Sequence, residues 1–342
     1  MNLSDLNKVA LAMVAPGKGL LAADESTGTI KKRFDAIKVE STEDTRRDYR
    51  EMLFRATEAM SKCISGVILY DETIWQKAKD GTPLVKLIEQ AGSIPGIKVD
   101  EGTQPLPNCP GELVTVGLDK LAARLADYYK QGARFAKWRA VIDIGKDIPS
   151  MTAIHVNAHA LARYAALCQA AQIVPIVEPE VLMDGDNDID RCYEVTQRVL
   201  NKTFQELRIQ RVALEGMVLK PNMVVSGKKC AKQASVAEVA EKTIRLLKSC
   251  VPAAVPGIAF LSGGQSDEDA TAHLDAINRI GGLPWKVTFS YGRALQAAPQ
   301  QAWSGKPENV AAGQQAFIHR AQMNSLASKG GWNAGLEQKQ AA

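Results

Sequence analysis

The sequence predicts a single-domain (β/α)8 barrel, the TIM-barrel class of α/β fold. Eight short apolar stretches recur along the chain, and segments with helical spacing separate them. Strands that are apolar on both faces are typical of parallel sheets covered by helices. The length of 342 residues also suits one barrel, which takes roughly 250 residues before insertions. An open, doubly wound sheet is the alternative that the same alternation permits.

The predicted strands share a pattern, because each apolar run closes on a polar or charged residue. In chain order they read GLLAADES, GVILYDE, GIKVDEG, ARFAKWRAVI, IVPIVEPEV, EGMVLKPNM, IAFLSGGQS and KVTFSYGRA. In a parallel barrel the carboxyl ends of all strands meet at one face, where active sites are built. The polar residues that close these runs are therefore the candidates for a functional site.

The segments between the strands carry helix signals. In STED, Ser41 and Asp44 fit a capping box that begins a helix. Its apolar positions have helical spacing: Tyr49, Met52, Leu53, Ala56 and Met60. The segment GLDKLAARLADYYKQGA predicts another helix, which stops at Gly132. Its apolar positions are Leu118, Leu121, Ala122 and Leu125.

The two ends of the chain are predicted to lie outside the barrel proper. We expect an amphipathic helix over about residues 4–15. The apolar run from Val9 to Ala15 also resembles a weak export signal, but its single preceding charge, Lys8, and its short length favour the helix. The part from about 330 to 342 is rich in Gly, Ala and Gln, which predicts a mobile tail.

Composition excludes several classes of function. The formal net charge of +4 comes from Lys and Arg spread along the chain, so no basic block indicates nucleic-acid or membrane-surface binding. No apolar run is long enough to cross a bilayer. The cysteines lie far apart and form no Cys-x-x-Cys, which argues against a zinc site or a disulfide framework and favours a reducing cytoplasm. They are Cys63, Cys109, Cys168, Cys192, Cys230 and Cys250.

The strand-end residues combine carboxylates with lysines, which points to amine chemistry. They are Asp24, Asp71, Glu72, Lys98, Asp100, Lys137, Arg139, Glu178, Glu180, Lys220, Ser262 and Arg293. Any single one is explained equally well as the solvated start of a loop. The run of eight favours a site, because Lys98, Lys137 and Glu178 have apolar neighbours and would need partners if buried. A neutral lysine amine in such an apolar, cationic setting attacks carbonyls and forms a Schiff base.

A Schiff base withdraws electrons, so a neighbouring carbon–carbon bond can break or form. Dehydration of the carbinolamine needs a carboxyl group, for which Glu178 and Glu180 are candidates. From the residues alone, Lys98, Lys137 and Lys220 are nearly interchangeable as the nucleophile. Pairing of Lys137 with Glu178 would provide partners for two charges that have apolar neighbours.

The last two strands indicate a phosphorylated substrate. Ser262, Gly263 and Gly264 follow the seventh strand and precede a helix that begins near Ser266, and SYGRAL places Gly292 and Arg293 after the eighth. In barrels these two loops commonly bind phosphate through backbone N–H groups and a helix N-terminus. A Gly-Gly pair alone is equally well an ordinary turn, but an arginine beside a second glycine strengthens the phosphate interpretation.

Metal and nucleotide motifs are incomplete. His155 and His159 in HVNAH have zincin spacing, but Val156 replaces the glutamate, so they are interpreted as helix-surface histidines. DGDNDID begins like an EF-hand, but Ile189 occupies the position that requires glycine. The sequence has no P-loop and no Rossmann fingerprint. We therefore predict no metal and no cofactor.

Taken together, the blocks closely resemble the class I fructose-bisphosphate aldolases over about residues 17–328. The resemblance is carried, in the family's order, by LAADESTGTI, GVILYDET, GIKVD, FAKWR, VPIVEPE, VLKPNMV, FLSGGQS and TFSYGRALQ. It implies a barrel that reversibly cleaves fructose 1,6-bisphosphate to dihydroxyacetone phosphate and glyceraldehyde 3-phosphate in glycolysis and gluconeogenesis. It also implies a metal-free reaction and a homotetramer.

The resemblance assigns roles that the residues alone leave open. Lys220 matches the Schiff-base lysine, and Glu178 matches the acid/base of dehydration, with Glu180 as its acidic neighbour. Asp24 resembles the carboxylate that takes the C4 hydroxyl proton, and Lys137 resembles the lysine that pairs with this acidic cluster. The residues that resemble the grip on one phosphate are Ser262, Gly263, Ser290, Gly292 and Arg293. Those for the other end of the substrate are Ser26, Arg33, Lys98 and Arg139.

Two other readings remain beside the aldolase. One is another Schiff-base lyase or transaldolase on the same barrel, which the double phosphate grip disfavours. The other is a non-catalytic phosphate-binding or scaffold barrel, which is expected if Lys220, Glu178 or Asp24 is replaced, and none of them is. The terminal tyrosine that assists proton exchange in many family members has no counterpart in this sequence, whose last tyrosine is Tyr291. Another acid, water or a slower step is expected in its place.

Overall fold

The structure, a computed structural model, describes residues 2–340. Its strands within that range are β1 Gly19–Ala23, β2 Ile64–Leu69, β3 Ile94–Lys98, β4 Thr103–Pro105, β5 Leu113–Thr115, β6 Phe135–Ile142, β7 Val174–Val181, β8 Val218–Leu219, β9 Gly257–Phe260 and β10 Lys286–Tyr291. All but β4 and β5 form one closed parallel barrel in the order β1-β2-β3-β6-β7-β8-β9-β10. The eight barrel strands are the eight predicted stretches.

Closure of the barrel excludes the open doubly wound sheet. β1 pairs with β2 through Leu20 and Gly66, and with β10 through Leu20 and Ser290, all in parallel. The first and last strands are thus neighbours, and the sheet has no free edge. β4 and β5 form a separate antiparallel pair between β3 and β6, which the sequence did not predict.

Helices lie between the barrel strands and around them. They are α1 Leu3–Met13, α2 Thr27–Ala36, α3 Glu43–Phe54, α4 Thr57–Lys62, α5 Asp71–Trp75, α6 Leu84–Gln90, α7 Leu121–Lys130, α8 Met151–Ala170, α9 Ile189–Ile209, α10 Val236–Cys250, α11 Asp267–Ile280, α12 Arg293–Trp303 and α13 Val310–Ala327. Short 3-10 helices span Leu214–Gly216, Pro307–Asn309 and Ala334–Gln340. None of the helices within residues 2–340 combines the length and apolarity that a membrane crossing requires.

Two of the helix predictions need correction in detail. α3 is capped by Thr42, with Thr45 as its reciprocal partner, one residue after the predicted Ser41 and Asp44. Threonine hydroxyls satisfy the free N–H groups as the predicted pair would have done. In α7 Ala122 is exposed, and Tyr128 completes the buried face. α11 follows Ser266 as its N-cap, as predicted.

The buried apolar residues form two separate cores. The larger one lies between the sheet and its surrounding helices, and the smaller one fills the barrel interior. In the smaller core the fully buried ring of Phe135 occupies space that Gly66 and Gly96 leave free, because a Cβ at either glycine would overlap it. Leu6 and Met13 of α1 belong to this same core. α1 therefore closes the amino-terminal end of the barrel, and polar side chains gather at the other end.

The C-terminal segment is bonded to the body of the protein. In the 3-10 helix Ala334–Gln340, Glu337 accepts hydrogen bonds from Arg320 Nη1 at 2.6 Å and from Trp332 Nε1 at 2.9 Å. Ala341 and Ala342, at the end of the tail predicted from about residue 330, lie outside the described residues. Mobility of this tail stays a prediction.

Candidate active site

A cleft of about 1120 Å³ opens at the carboxyl ends of the barrel strands. Every predicted site residue except Gly264 lines it. The predicted residues in its wall are Asp24, Ser26, Arg33, Lys98, Lys137, Arg139, Glu178, Glu180, Lys220, Ser262, Gly263, Ser290, Gly292 and Arg293. Two other strand-end carboxylates lie elsewhere, because Asp71 accepts the hydroxyl of Tyr128 at 2.6 Å and Glu72 pairs with Arg46.

Because successive side chains of a strand point to opposite faces of the sheet, every second residue of β6 and β7 points to the barrel interior, and the charged ones line the cleft. On β6, Phe135 and Lys137 point to the barrel interior, whereas the intervening side chains point to the helices. Trp138, for example, stacks on Tyr164 of α8 outside the sheet. On β7 the same alternation turns Glu178 and Glu180 inward. Apolar residues fill the lower layer of the barrel, and charged ones fill the layer above it.

A buried chain of four charges occupies the centre of the cleft. Lys137 Nζ lies 2.6 Å from Asp24 Oδ2 and 3.4 Å from Glu178 Oε2. Lys220 Nζ lies 3.0 Å from Glu178 Oε1. Lys137, Glu178 and Lys220 are each at most 4 % exposed. The pairing of Lys137 with Glu178 expected from the sequence is therefore present, and Asp24 is the closer partner.

Electrostatics fix the protonation states at one end of this chain. Burial raises the pKa of a carboxyl, but the ammonium groups of Lys137 and Lys220 outweigh it and lower the pKa of Asp24 from 3.8 to about 2. Burial likewise disfavours the ammonium of Lys137, yet Asp24 and Glu178 hold its pKa well above the ordinary value. Lys137 is thus a permanent cation, and a neutral amine has to come from another lysine.

The partners of the other two lysines differ in a way that favours Lys220 as the nucleophile. Lys98 Nζ bonds both the carboxylate and the backbone carbonyl of Asp100, each at 2.7 Å. Among the described residues, the ion-pair partner of Lys220 is Glu178, through Oε1. The other oxygen, Oε2, is buried with the 3.4 Å ion pair to Lys137 and no hydrogen bond in the described structure. The Lys220 amine and a carboxyl group able to exchange protons thus lie side by side.

One end of the cleft presents groups suited to an anion. We call residues 262–264 the β9 loop; Gly263 adopts a positive φ of 57°, and its carbonyl accepts a bond from Arg293 Nη2 at 2.7 Å. The Ser290 hydroxyl is buried with no partner within the described residues. Gly264 differs from the prediction, because its N–H donates to Met183 Sδ at 3.1 Å rather than facing the cleft.

Across the barrel from the β9 loop, Lys98 and Arg139 line the cleft, whereas Arg33 lies beside Gly292, with Nη2 3.7 Å from the place that a Cβ there would take. Arg33 pairs with Glu25, Lys98 with Asp100, and Arg139 with Glu180. Burial disfavours the charge of Arg139, but Glu180 outweighs it and raises the pKa of the guanidinium. Ser26 caps α2 and accepts from the N–H of Thr29 at 3.4 Å.

Glu25 is a site residue that the sequence reasoning missed. Its Oε1 accepts from Gln296 Nε2 at 2.7 Å in addition to Arg33, and its carbonyl accepts from Arg50 Nη2 at 2.9 Å. Arg50 and Gln296 belong to α3 and α12, so local sequence gives no sign of this cluster. The one available signal is the second carboxylate of AADES, directly after Asp24.

Histidine and cysteine take no part in the cleft. Within residues 2–340, no three side chains of His, Cys, Asp or Glu are arranged to hold a metal ion. His155 and His159 lie on the outer face of α8, where their Nδ1 atoms contact Glu206 at 3.3 and 3.1 Å. They are the helix-surface histidines that the sequence predicted.

Comparison with known proteins identifies the family. The sequence matches the family described as "Fructose-bisphosphate aldolase class-I" over residues 5–342. A "Probable fructose-bisphosphate aldolase class 1" from Xanthomonas campestris pv. campestris is 59 % identical over 333 residues, 97 % of this chain and 99 % of that protein. The fructose-bisphosphate aldolase of Drosophila melanogaster is 53 % identical over 332 residues, which cover 97 % and 92 % of the two chains.

A solved structure agrees with these relatives. Fructose-bisphosphate aldolase from Plasmodium falciparum, in complex with TRAP and a small-molecule inhibitor, superposes with a TM-score of 0.96 at 50 % identity, covering 97 % of this chain and 96 % of that one. Sequence and fold therefore give the same answer: this chain belongs to the class I fructose-bisphosphate aldolase family.

Proposed function

We propose that this protein reversibly cleaves fructose 1,6-bisphosphate to dihydroxyacetone phosphate and glyceraldehyde 3-phosphate through a Schiff base at Lys220. It would act as a metal-independent carbon–carbon lyase of the aldehyde-lyase type, in glycolysis and gluconeogenesis. The observation that carries the proposal is the pairing of the Lys220 amine with Glu178 at 3.0 Å, beside a Lys137 that two carboxylates keep charged.

The first chemical step forms the Schiff base. Lys220 passes a proton to the Glu178 carboxylate across their 3.0 Å contact, and the resulting amine attacks the C2 carbonyl of the substrate to give a carbinolamine. Glu178 then donates a proton to the C2 hydroxyl, which leaves as water, and the nitrogen lone pair forms the iminium. Glu178 Oε2 supports this role, because it accepts no hydrogen bond in the described structure, and a carboxyl group already committed to hydrogen bonds exchanges protons less readily.

The second step breaks the bond between C3 and C4. Asp24 takes the proton of the C4 hydroxyl, the C3–C4 electron pair moves to the iminium, and the aldehyde leaves behind a neutral enamine. The low pKa of Asp24 keeps its carboxylate unprotonated and ready for this transfer. Neutralisation of the iminium also removes one of the positive charges that lower the proton affinity of Asp24, so proton uptake becomes easier as the bond breaks.

The cleft has cationic groups at both ends, as a bisphosphate requires. Arg293, Ser290 and the β9 loop would bind the phosphate next to C1, and Lys98 and Arg139 across the barrel would bind the phosphate of the aldehyde half. Arginine and backbone N–H groups suit phosphate oxygens because their hydrogen bonds are directional and charge-assisted. Binding at both ends holds C2 near Lys220.

Replacement of the proposed nucleophile tests the central claim. Lys220→Ala should lower kcat by several orders of magnitude, because no amine remains to form the covalent intermediate. Borohydride added with dihydroxyacetone phosphate should leave a reduced adduct on Lys220 of the wild type, read by peptide mass spectrometry. The exposed Lys232→Ala serves as the control. Full activity in Lys220→Ala would refute the Schiff-base mechanism.

The proton carrier is tested by two matched substitutions on β7. Glu178→Gln should slow adduct formation in the borohydride assay by roughly 10²–10⁴-fold, because the amide cannot deliver a proton. Glu180→Gln makes the same chemical change two residues further along the strand. It should leave the trapping rate nearly unchanged, since Glu180 contacts Arg139 rather than Lys220. Equal loss in both variants would contradict the assignment.

Asp24→Asn should separate Schiff-base formation from bond cleavage. We expect borohydride trapping of dihydroxyacetone phosphate to persist while cleavage of fructose 1,6-bisphosphate is lost, because only the second step uses this carboxylate. Loss of trapping and cleavage to the same extent would remove the distinction between the two steps.

The same variant tests the electrostatics of the site. The folded-state pKa of Asp24 is lowered to about 2, so its ionised form stabilises the fold above the unfolded pKa of 3.8, and this stabilisation is lost as pH falls towards 2. Between pH 4 and pH 2, the free energy of unfolding should therefore fall less steeply in Asp24→Asn than in the wild type. Parallel curves would show that the pair with Lys137 contributes nothing.

Assembly and cellular setting complete the proposal. We expect a homotetramer in the cytoplasm, with one barrel domain per chain and a mobile C-terminal tail. Free thiols on all six cysteines suit a reducing compartment, and the exposed side chains of Met151 on α8 and Ile209 on α9 offer apolar contact surface. Light scattering should give about four times the chain mass of 37.0 kDa; a monomeric mass would overturn the tetramer.

A further inference from the structure

Three loops that follow neighbouring barrel strands meet beside the β9 loop. Met183 follows β7, Lys228 lies in the segment after β8, and Gly264 ends the β9 loop. The backbone N–H of Lys228 donates to the carbonyl of Met183 at 2.7 Å, and the N–H of Gly264 donates to Met183 Sδ at 3.1 Å. Met183 thus ties the other two loops together.

The side chain of Lys228 lies across this junction. Its Nζ is 2.7 Å from Asp184 Oδ1. Its last carbon and Nζ pack against Gly264, in the space that a Cβ at that position would fill. A side chain at position 264 would therefore displace the end of the Lys228 side chain from this position.

The charge of Lys228 bears on phosphate binding through its partner, Asp184. Asp184 lines the cleft near the β9 loop, and its side chain is 61 % exposed. No step of the proposed reaction uses a carboxylate at this point, and a free negative charge there would repel a phosphate group that approaches Arg293. Lys228 is the cation that the structure places on Asp184.

We infer that Lys228 is a positioning residue for phosphate binding, which acts by neutralising Asp184 at the rim of the cleft. The inference rests on the proposed function, because it concerns the affinity of that site for its substrate. Lys228 does not touch the reacting atoms, so it affects substrate binding and leaves the chemical step alone.

A charge-removal cycle tests this role. Lys228→Met should raise KM for fructose 1,6-bisphosphate about threefold, as expected for a partly exposed charge pair, with kcat nearly unchanged. The double variant with Asp184→Asn should return KM to the wild-type value, because no unpaired charge remains. The effect of Lys228→Met should also shrink at high ionic strength. Circular dichroism confirms that each variant is folded.

The neighbouring lysine provides a matched control. Lys229→Met removes the same charge one residue further along, from an exposed side chain with no side-chain partner in the described structure, and should leave KM unchanged. Wild-type KM in Lys228→Met would overturn the inference, as would a double variant as impaired as the single one. If the wild type cleaved no bisphosphate, the proposed function would fail instead, and calorimetric binding of inorganic phosphate to the same variants would still test the charge effect.

Discussion

The ammonium group of Lys137, held between Asp24 and Glu178, is the interaction on which the cleft depends. Three charged side chains are removed from water together, and each is tolerated because the next one compensates it. Loss of one partner from such a buried set typically costs about 3–5 kcal/mol, because a charge is left unpaired. The central lysine therefore fixes the position and ionisation of Asp24, the carboxylate proposed to take the C4 proton.

The barrel and most of the cleft followed from the sequence. Apolar runs such as IVPIVEPEV, alternating with helical patterns, favoured strands buried on both faces, and in a closed parallel barrel the polar residues that end such strands meet at one face. The structure confirms the barrel and shows Glu178 and Lys137 in the cleft at that face. The antiparallel pair β4 and β5 was missed because its exposed, partly polar residues carry no such signal.

The roles proposed for the three lysines rest on contacts that the sequence does not show. Lys98, Lys137 and Lys220 all follow apolar residues, and local pattern alone gave no order among them. Their partners come from other strands: two carboxylates for Lys137, and Glu178 alone for Lys220. The surroundings of Gly264 and Glu25 could not be predicted from the sequence for the same reason. Their contacts come from distant parts of the chain: Met183 and Lys228 for Gly264, and Arg50 and Gln296 for Glu25.

Because α1 closes one end of the barrel with apolar side chains, it affects how substrate enters the site and how products leave it. With Leu6 and Met13 packed into the lower core, α1 closes that end of the barrel, and the cleft opens above the strands. In the proposed reaction the fragment bonded to Lys220 stays anchored in the wall of the cleft, so the free aldehyde leaves first. A water molecule or a new aldehyde then takes its place. The proposed order of product release thus follows from the shape of the barrel as well as from the covalent bond to Lys220.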